Sequence, residues 1–256
     1  MISIKSPREI AIMREAGRIG GLALASAGAA VRPGVTTQEL NDIFHSVIVK
    51  NHATPNVLGQ YGFTRSVCIS VNEELIHGTP GKRKLVEGDI VTLDGGARFE
   101  GFHSDTAATF AVGKVSETAR RLIDVTKRCF YEAAGVVRPG AFLREISRVM
   151  QTRAETEGFS VCRMFTGHGI GRELHEDPEI PCFVTKGRGG RITAGMTFCI
   201  EPMVCSGHWD VEYAADNFTV VTKDRKMCAH YEHTVLVTET GYELLTKRAG
   251  DEPCIV

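Results

Sequence analysis

The chain repeats part of itself, and this repeat limits the folds that it can adopt. The segment AAVRPGVTTQEL (29–40) aligns with GVVRPGAFLREI (135–146) at an offset of 106 residues, and EGDIVTLD (87–94) aligns with AGMTFCIE (194–201) at an offset of 107. In each copy we predict that one helix ends before Pro-Gly, that a second helix begins near the matching glutamate, and that a strand ends in a carboxylate. The repeat therefore predicts two helix–helix–strand units with the active face between them.

The composition fits one large α/β domain. The length is 256 residues and 43% of them are hydrophobic, which is enough for a sizeable core, with halves at about 1–113 and 114–256. A formal net charge of −1 gives no support for general affinity to nucleic acid or to an anionic membrane. The eight cysteines form no CxxC pair, so we predict reduced thiols in a cytoplasmic protein.

An apolar stretch near the start, IGGLALASAGAA (19–30), resembles the apolar part of a secretion signal. However, the preceding residues Ser6-Pro7-Arg8-Glu9 have the pattern of a capping box with proline at the first helical position. We therefore predict a helix that begins at Pro7 and has buried later turns. No segment is long enough to span a bilayer.

Two aspartates lie in the segment VTLDGGARFEGFHSDTAATF (91–110), which reads as two strands. If the turn between them centres on Phe99 and Glu100, Asp94 and Asp105 lie directly opposite each other on one face. Like charges in that position are destabilising, and a buried carboxylate must be paired, protonated or bound to a metal. A divalent cation would satisfy both carboxylates, whereas a solvated hairpin is the alternative.

Two more carboxylates lie at predicted strands of the second half. Glu201 ends the strand of the second repeat, and Glu232 lies in the apolar run CAHYEHTVLV (228–237). Strand alternation places His230 on the same face as Glu232, which makes it a candidate fellow ligand, and places His233 on the other face. Four carboxylates from two hairpins suit hard divalent cations and predict a two-metal centre.

Three histidines lie near glycines. His168 and His175 belong to FTGHGIGRELHEDP (165–178), where the glycines predict a strand or loop rather than a helix. The sequence HEDPE lacks the second histidine of H-E-x-x-H, and G-x-G-x-G lacks the nucleotide-binding fingerprint. His77 ends an apolar run in NEELIHGTPG, where a single histidine is more often an ordinary polar residue than a catalytic one.

Together these motifs resemble those of the methionine aminopeptidases of the M24 metallopeptidases, specifically the short bacterial type I form. The resemblance is carried by CISVNEELIHGTP (68–80), VTLDGGARFEGFHSDTA (91–107), TGHGIGRELHEDP (166–178), MTFCIEPMV (196–204) and CAHYEHTVLVT (228–238). It implies the pita-bread fold, an α/β (α+β) architecture in which two pseudo-twofold-related halves surround a central antiparallel sheet. It also implies a single catalytic domain over residues 1–256.

The resemblance implies a dinuclear centre for two divalent ions, which could be cobalt, manganese, iron or zinc. The implied ligands are Asp94, Asp105, His168, Glu201 and Glu232. Asp105 and Glu232 would bridge the two ions and Asp94 would complete one site. His168 and Glu201 would complete the other.

A reaction also follows from the resemblance: removal of the N-terminal methionine from nascent proteins and peptides when the second residue is small. A metal-bridging hydroxide would attack the first peptide carbonyl while the free α-amine of the substrate binds a metal. His175 would stabilise the oxygen of the tetrahedral intermediate, His77 would contact the scissile amide, and Glu201 would carry the proton.

The implied methionine pocket departs from the family pattern. Phe63 and Cys68 match it, Leu174 stands where some members have phenylalanine, and Phe218 stands where tryptophan is often found. The pair at 60–61 is also off the common pattern. An apolar, polarizable lining still suits a methionine side chain, although Phe218 is equally compatible with an ordinary core position.

Two other functions stay open at this stage. One is an Xaa-Pro dipeptidase or aminopeptidase of the same fold, whose members usually carry a large N-terminal domain. The other is a non-catalytic pita-bread protein that binds peptides, a class that typically loses metal ligands. We expect a monomer that acts on nascent polypeptide N-termini, with no sequence-specific nucleic acid and no membrane as partners. Ribosome contact through the basic loops 186–191 and 222–226 is compatible with the sequence but not decided by it.

Overall fold

The computed structural model describes residues 2–249 and residue 251. The α-helices are α1 (Pro7–Ala29), α2 (Thr37–Lys50), α3 (Glu117–Ala134) and α4 (Leu143–Thr156). The strands are β1 (Thr54–Pro55), β2 (Cys68–Val71), β3 (Glu74–Ile76), β4 (Ile90–Asp94), β5 (Ala97–Phe99), β6 (Phe102–His103), β7 (Thr106–Ala111), β8 (Ser160–Val161), β9 (Thr166–Gly169), β10 (Glu176–Pro181), β11 (Thr197–Ile200), β12 (Met203–Cys205), β13 (Val211–Tyr213), β14 (Val220–Thr222), β15 (Cys228–Val237) and β16 (Tyr242–Leu244). None of the helices in this part of the chain has the length and apolar character needed to cross a membrane.

Helix α1 begins where the capping box predicts. The Ser6 side chain accepts a hydrogen bond from the backbone N–H of Glu9, and the Glu9 carboxylate accepts one from the backbone N–H of Ser6 at 2.9 Å. The apolar turns that follow are buried against the rest of the molecule. Gly17 lies against the backbone of Leu245, so the stretch that resembles a secretion signal is part of the folded core.

The two halves use the same hydrogen bonds at matching positions. Gly34 donates its backbone N–H to the carbonyl of Leu85 at 2.8 Å, and Gly140 donates to Ile192 at 2.9 Å. Both glycines have left-handed backbone angles, with φ of 88° and 89°, which the turn after each first helix requires. The helix–helix–strand units predicted by the repeat are therefore present.

Ten of the described strands form one large sheet, whose main path runs β10-β9-β11-β15-β7-β4-β2 with all neighbours antiparallel. Two smaller sheets of three strands each have the orders β1-β5-β6 and β13-β14-β3. β12 and β16 pair with β15, and β8 pairs with β12. The halves meet where β7 pairs with β15, whose ten residues are all buried. Helices α1 and α3 both pack against β7, and α3 also packs against β15.

The hairpin after Asp94 has a different register from the predicted one. Its turn centres on Glu100 and Gly101, which have φ of 45° and 83°, as a two-residue turn with two left-handed positions requires. Asp94 consequently faces Ala107, whereas Asp105 precedes β7 and is not its direct partner. The predicted direct opposition of the two aspartates is wrong by two residues. A shift of two leaves each side chain on its original face of the hairpin.

Candidate metal centre and active site

Three adjacent strands bring two carboxylates to one face of the sheet. Ala107 in β7 pairs with Asp94 in β4 on one side and with Glu232 in β15 on the other. Directly paired residues project to the same face, so both carboxylates flank the small alanine side chain. Asp105 joins them, because carboxylate oxygens of Asp94, Asp105 and Glu232 lie within 4.8 Å of one another.

The second half contributes a glutamate and a histidine. Glu201 directly follows β11, and His168 lies in the neighbouring strand β9 with its Nε2 3.5 Å from Oε1 of Glu201. His168 Nδ1 lies 2.9 Å from the carbonyl oxygen of Gly169, a contact that favours a proton on Nδ1 and leaves Nε2 available as a ligand. Gly167 allows β9 to lie close to β11, because a methyl group added at Gly167 would lie 2.6 Å from the carbonyl oxygen of Cys199.

Burial and mutual repulsion act on the carboxyl groups of this cluster. Burial raises the pKa of Asp94 well above its usual range, and the charge of Asp105 adds to the effect. Burial likewise raises the pKa of Asp105 to about 6. The pKa values of Glu201 and Glu232 are raised well above the ordinary value, first by burial and then by the two aspartates and, for Glu232, also by Glu201. Four such carboxyls cannot all be ionised together without a cation.

Two carboxylate oxygens have unmet hydrogen-bonding capacity. Oε1 of Glu201 and Oε1 of Glu232 are buried and have no hydrogen-bond partner among the described residues. A buried acceptor without a partner is costly, and a divalent cation bound by oxygen and imidazole ligands would satisfy both. The donor set therefore fits a divalent metal.

Asn56 and Thr234 orient Asp105, and neither residue was predicted from the sequence. Asn56 Nδ2 donates to Oδ1 of Asp105 at 3.0 Å, while its own Oδ1 accepts from the backbone N–H of Gly96 at 2.7 Å. The hydroxyl of Thr234 accepts from the backbone N–H of Asp105 and donates to its carbonyl, both at 2.9 Å. These contacts span 49 and 129 residues of chain, so no local sequence signal marks them.

A cavity of about 810 Å³ opens onto the carboxylates. It is lined by every residue that the resemblance implicates, namely Phe63, Cys68, His77, Asp94, Asp105, His168, Leu174, His175, Glu201, Phe218 and Glu232. The structure thus brings together side chains from both halves, and the cavity has an acidic floor and a partly apolar wall.

Two further histidines, His77 and His175, line the cavity. The ring of His175 lies 4.4 Å from that of His168, centre to centre, and the ring of His77 packs edge-on against Phe165 at 5.6 Å. Burial, helped by His175, lowers the pKa of His77 to about 4, and burial also lowers the pKa of His175. Both rings are therefore neutral near pH 7 and can each donate one N–H.

The apolar residues that line the cavity lie next to the carboxylates. Cys68 in β2 pairs with Asp94, so its side chain lies on the face that carries the carboxylates. The rings of Phe63 and Phe218 meet edge-to-face at 5.5 Å, and Leu174 is buried nearby in the lining. Tyr61 stands at the exposed mouth with its ring 6.5 Å from His175.

The two histidines that flank Glu232 have different surroundings. His230 is buried with its Nε2 3.9 Å from Oε2 of Glu201, and neither ring nitrogen has a hydrogen-bond partner in the described part of the chain. His233 faces the other way, where Nδ1 lies 2.9 Å from the Thr246 hydroxyl and Nε2 lies 3.0 Å from Nη2 of Arg248. His233 thus lies on the face of β15 opposite Glu232, as strand alternation predicts, and is a hydrogen-bonded core residue.

Comparison with known proteins agrees with this geometry. Residues 11–239 match the sequence profile of metallopeptidase family M24. The chain belongs to metallopeptidase family M24. Over 247 residues this M24 chain is 47% identical to methionine aminopeptidase 1 of Bacillus subtilis, an alignment that covers 96% of this chain and 100% of that protein.

Solved structures place the M24 chain in the same fold. The crystal structure of methionine aminopeptidase from Thermotoga maritima matches with a TM-score of 0.95 and 42% identity, over 97% of this chain and 100% of that chain. Prolidase from Pyrococcus furiosus matches with a TM-score of 0.78 and 24% identity, over 95% of this chain but 65% of that chain, and shares the fold alone. The predicted pita-bread fold is confirmed, and M24 membership implies a hydrolase that uses a divalent metal.

Proposed function

We propose that this M24 metallopeptidase removes the N-terminal methionine from nascent proteins and peptides when the second residue is small. The observation that carries the proposal is the cavity, which joins a cluster of four carboxylates and a histidine to an apolar wall. Full-length similarity to proteins named methionine aminopeptidase supports this function over an Xaa-Pro peptidase, since the prolidase match covers only part of that longer chain.

We propose that the centre holds two divalent ions, drawn from cobalt, manganese, iron and zinc. Asp94 would complete one position, His168 and Glu201 the other, and Asp105 and Glu232 would be shared between them. When bound, the ions supply Lewis-acid chemistry that polarises a peptide carbonyl and increases the acidity of water. The unpartnered oxygens of Glu201 and Glu232 support this assignment.

Three side chains of the protein would carry out the proton transfer and the hydrogen bonding to the substrate. Glu201, which lines the cavity beside His168, would take a proton from water and deliver it to the leaving amine. His175 would donate its N–H to the oxygen that becomes negative during attack, and His77 would contact the scissile amide. Their neutral rings at pH 7 suit hydrogen-bond donation.

The methionine side chain would occupy the apolar wall formed by Phe63, Cys68, Leu174 and Phe218. A thiol, an aliphatic side chain and two aromatic rings offer polarizable surface for a thioether. We further propose a monomer that works in the cytoplasm on chains leaving the ribosome. The free, buried state of the seven described cysteines is in keeping with a reducing compartment.

The proposed function is tested by peptide hydrolysis. The protein is treated with EDTA, dialysed, and assayed on Met-Ala-Ser, Met-Leu-Ser and Ala-Pro peptides before and after cobalt, manganese, iron or zinc is added back. We expect methionine to be released from Met-Ala-Ser only when metal is present, with little cleavage of Met-Leu-Ser and none of Ala-Pro. Cleavage of Ala-Pro in preference to Met-Ala-Ser would favour the Xaa-Pro activity, and metal-independent cleavage would exclude the proposed centre.

A further inference from the structure

Cys199 lies next to the proposed metal centre, although it is not one of the ligands assigned above. It precedes Glu201 by two residues in β11, and strand alternation therefore turns both side chains to the same face. In the sheet it pairs with Thr234 of β15, two residues after Glu232. The thiol is fully buried and forms no disulfide.

The thiol groups with two side chains that are suited to metal binding. Sγ of Cys199, a ring nitrogen of His168 and a carboxylate oxygen of Glu232 lie within 4.8 Å of one another. In a zinc site, the metal–sulfur bond is about 2.3 Å and the metal–nitrogen bond about 2.0 Å. Two ligand atoms bound to the same ion are therefore separated by distances similar to or shorter than those between these three atoms. Sulfur, nitrogen and oxygen donor atoms thus lie close enough together to bind a single ion.

A second observation points to a ligand at this place. Glu232 is 1% exposed, and its Oε1 has no hydrogen-bond partner among the described residues. The thiol lies 3.8 Å from the Thr234 hydroxyl and within hydrogen-bonding reach of the Glu232 carboxyl, so sulfur and carboxylate already face each other. Within residues 2–249 and 251, no other cysteine belongs to such a three-residue group.

We propose that Cys199 supplies a sulfur ligand to the ion held by His168 and Glu232. The inference rests on the proposed metal-dependent function and adds a donor to one of its two metal positions. On binding, the thiol would lose its proton to solvent and coordinate as thiolate. This position would then have nitrogen, oxygen and sulfur donors, whereas the position at Asp94 keeps oxygen donors. Softer ions such as zinc and cobalt are favoured at the first position, and manganese at the second.

Cobalt spectroscopy tests the sulfur ligand directly. The metal-free protein is titrated with Co²⁺ as wild type, as Cys199→Ser, and as Cys129→Ser, a control in which a buried thiol of α3 beside the Met150 carbonyl is replaced. We expect the intense near-ultraviolet band of cobalt–thiolate charge transfer in wild type and in the control, and its loss in Cys199→Ser while cobalt still binds. Absence of the band from cobalt-loaded wild type, or its survival in Cys199→Ser, would overturn the inference alone. Failure of wild type to bind cobalt at all would overturn the proposed function as well.

Metal preference gives a second readout that does not depend on activity. Each protein is equilibrated with equal Zn²⁺ and Mn²⁺, and the bound ions are counted by mass spectrometry. We expect Cys199→Ser to lose zinc affinity by roughly tenfold or more, at least the effect of removing a residue that supports a metal ligand, with little change for manganese. An unchanged zinc-to-manganese ratio would contradict the sulfur ligand. If the serine variant does not fold, Cys199→Thr replaces it, because threonine suits a buried strand.

Discussion

Asn56 donates its side-chain amide to Asp105 at 3.0 Å, and both residues are buried. The same amide donates to the carbonyl of Ser104 at 2.8 Å, while its oxygen accepts from the N–H of Gly96. Asn56 therefore links the segment just after Asp94 to the segment that contains Asp105. One neutral side chain thus keeps two repelling carboxylates at a set separation.

Removing this link is expected to weaken metal binding. In Asn56→Ala, Asp105 loses a charge-assisted hydrogen bond, and we expect the metal dissociation constant to rise by about 10–100-fold, as for other groups that orient metal ligands. Calorimetric titration of the metal-free variant measures it. Asn72→Ala is the matched control, because it removes a 2.8 Å Asn–Asp hydrogen bond to Asp89, a residue that does not line the cavity. Equal weakening in both variants would show that the effect is general destabilisation.

His175 is expected to act on the reaction and not on metal retention. Its ring lines the cavity beside His168 but belongs to neither metal-binding group. We expect His175→Ala to lower kcat by about 10²–10³-fold, the effect of removing one donor to a developing oxyanion, with metal content unchanged. The exposed His208 supplies the control substitution, His208→Ala, which should leave both quantities unaltered. Full activity in His175→Ala would refute the assigned role.

Metal binding is expected to depend on pH through the carboxyl groups. Because folding raises their pKa values, their protonated forms stabilise the metal-free protein at acid pH, and this contribution is lost as the pH rises, through about 6 for Asp105. Burial lowers the pKa of His168 to about 3, so this ring stays neutral throughout. Ions require ionised carboxylates, so the stabilisation by metal grows with pH.

Thermal unfolding measures this dependence. We expect the difference in Tm between metal-loaded and EDTA-treated protein to be larger near pH 8 than near pH 5.5. Calorimetry in buffers of different ionisation enthalpy should also detect proton release on metal binding near pH 6. The same Tm difference at both pH values, together with no proton release, would contradict the raised pKa values.

The close packing of α1 on the C-terminal part of the chain makes Gly17 sensitive to substitution. A methyl group there would overlap the carbonyl oxygen of Leu245, which is backbone and cannot rotate away. We expect Gly17→Ala to lower the free energy of unfolding by about 1–3 kcal/mol, although alanine favours a helix by about 1 kcal/mol. Gly241→Ala, where an added methyl meets nothing within 4 Å, is the control. Guanidinium denaturation distinguishes the two, and a more stable Gly17→Ala would disprove the overlap.

The elements that depend on local chemistry were predictable from the sequence. The capping box at Ser6 uses neighbouring residues only, and each Arg-Pro-Gly turn depends on the left-handed backbone angle of its own glycine, so the start of α1 and the repeat were predictable from local sequence. The carboxylates at strand ends were predictable for the same reason, because a strand that ends in Asp94 or Glu201 carries its own signal.

Features that depend on distant contacts were not predictable. The predicted hairpin register was wrong because the position of the turn depends on the backbone angles at Glu100 and Gly101. The charge pattern does not determine that position. Asn56 escaped notice because its partner is 49 residues away. Cys199 matches Thr92 in the repeat, a residue whose hydroxyl contacts that of Thr109, so the first half offers no signal for the proposed sulfur ligand.

The pairing of Ala107 with Glu232 has a consequence for how the protein is made. These residues are 125 positions apart, so the sheet that joins the halves has a high contact order and is expected to form slowly. The pairing of β4 with β7 is local by comparison, and during synthesis Asp94 and Asp105 are made well before Glu232. The proposed metal centre would therefore be completed only once β15 is made, and a chain stalled before β15 would carry Asp94 and Asp105 without Glu232.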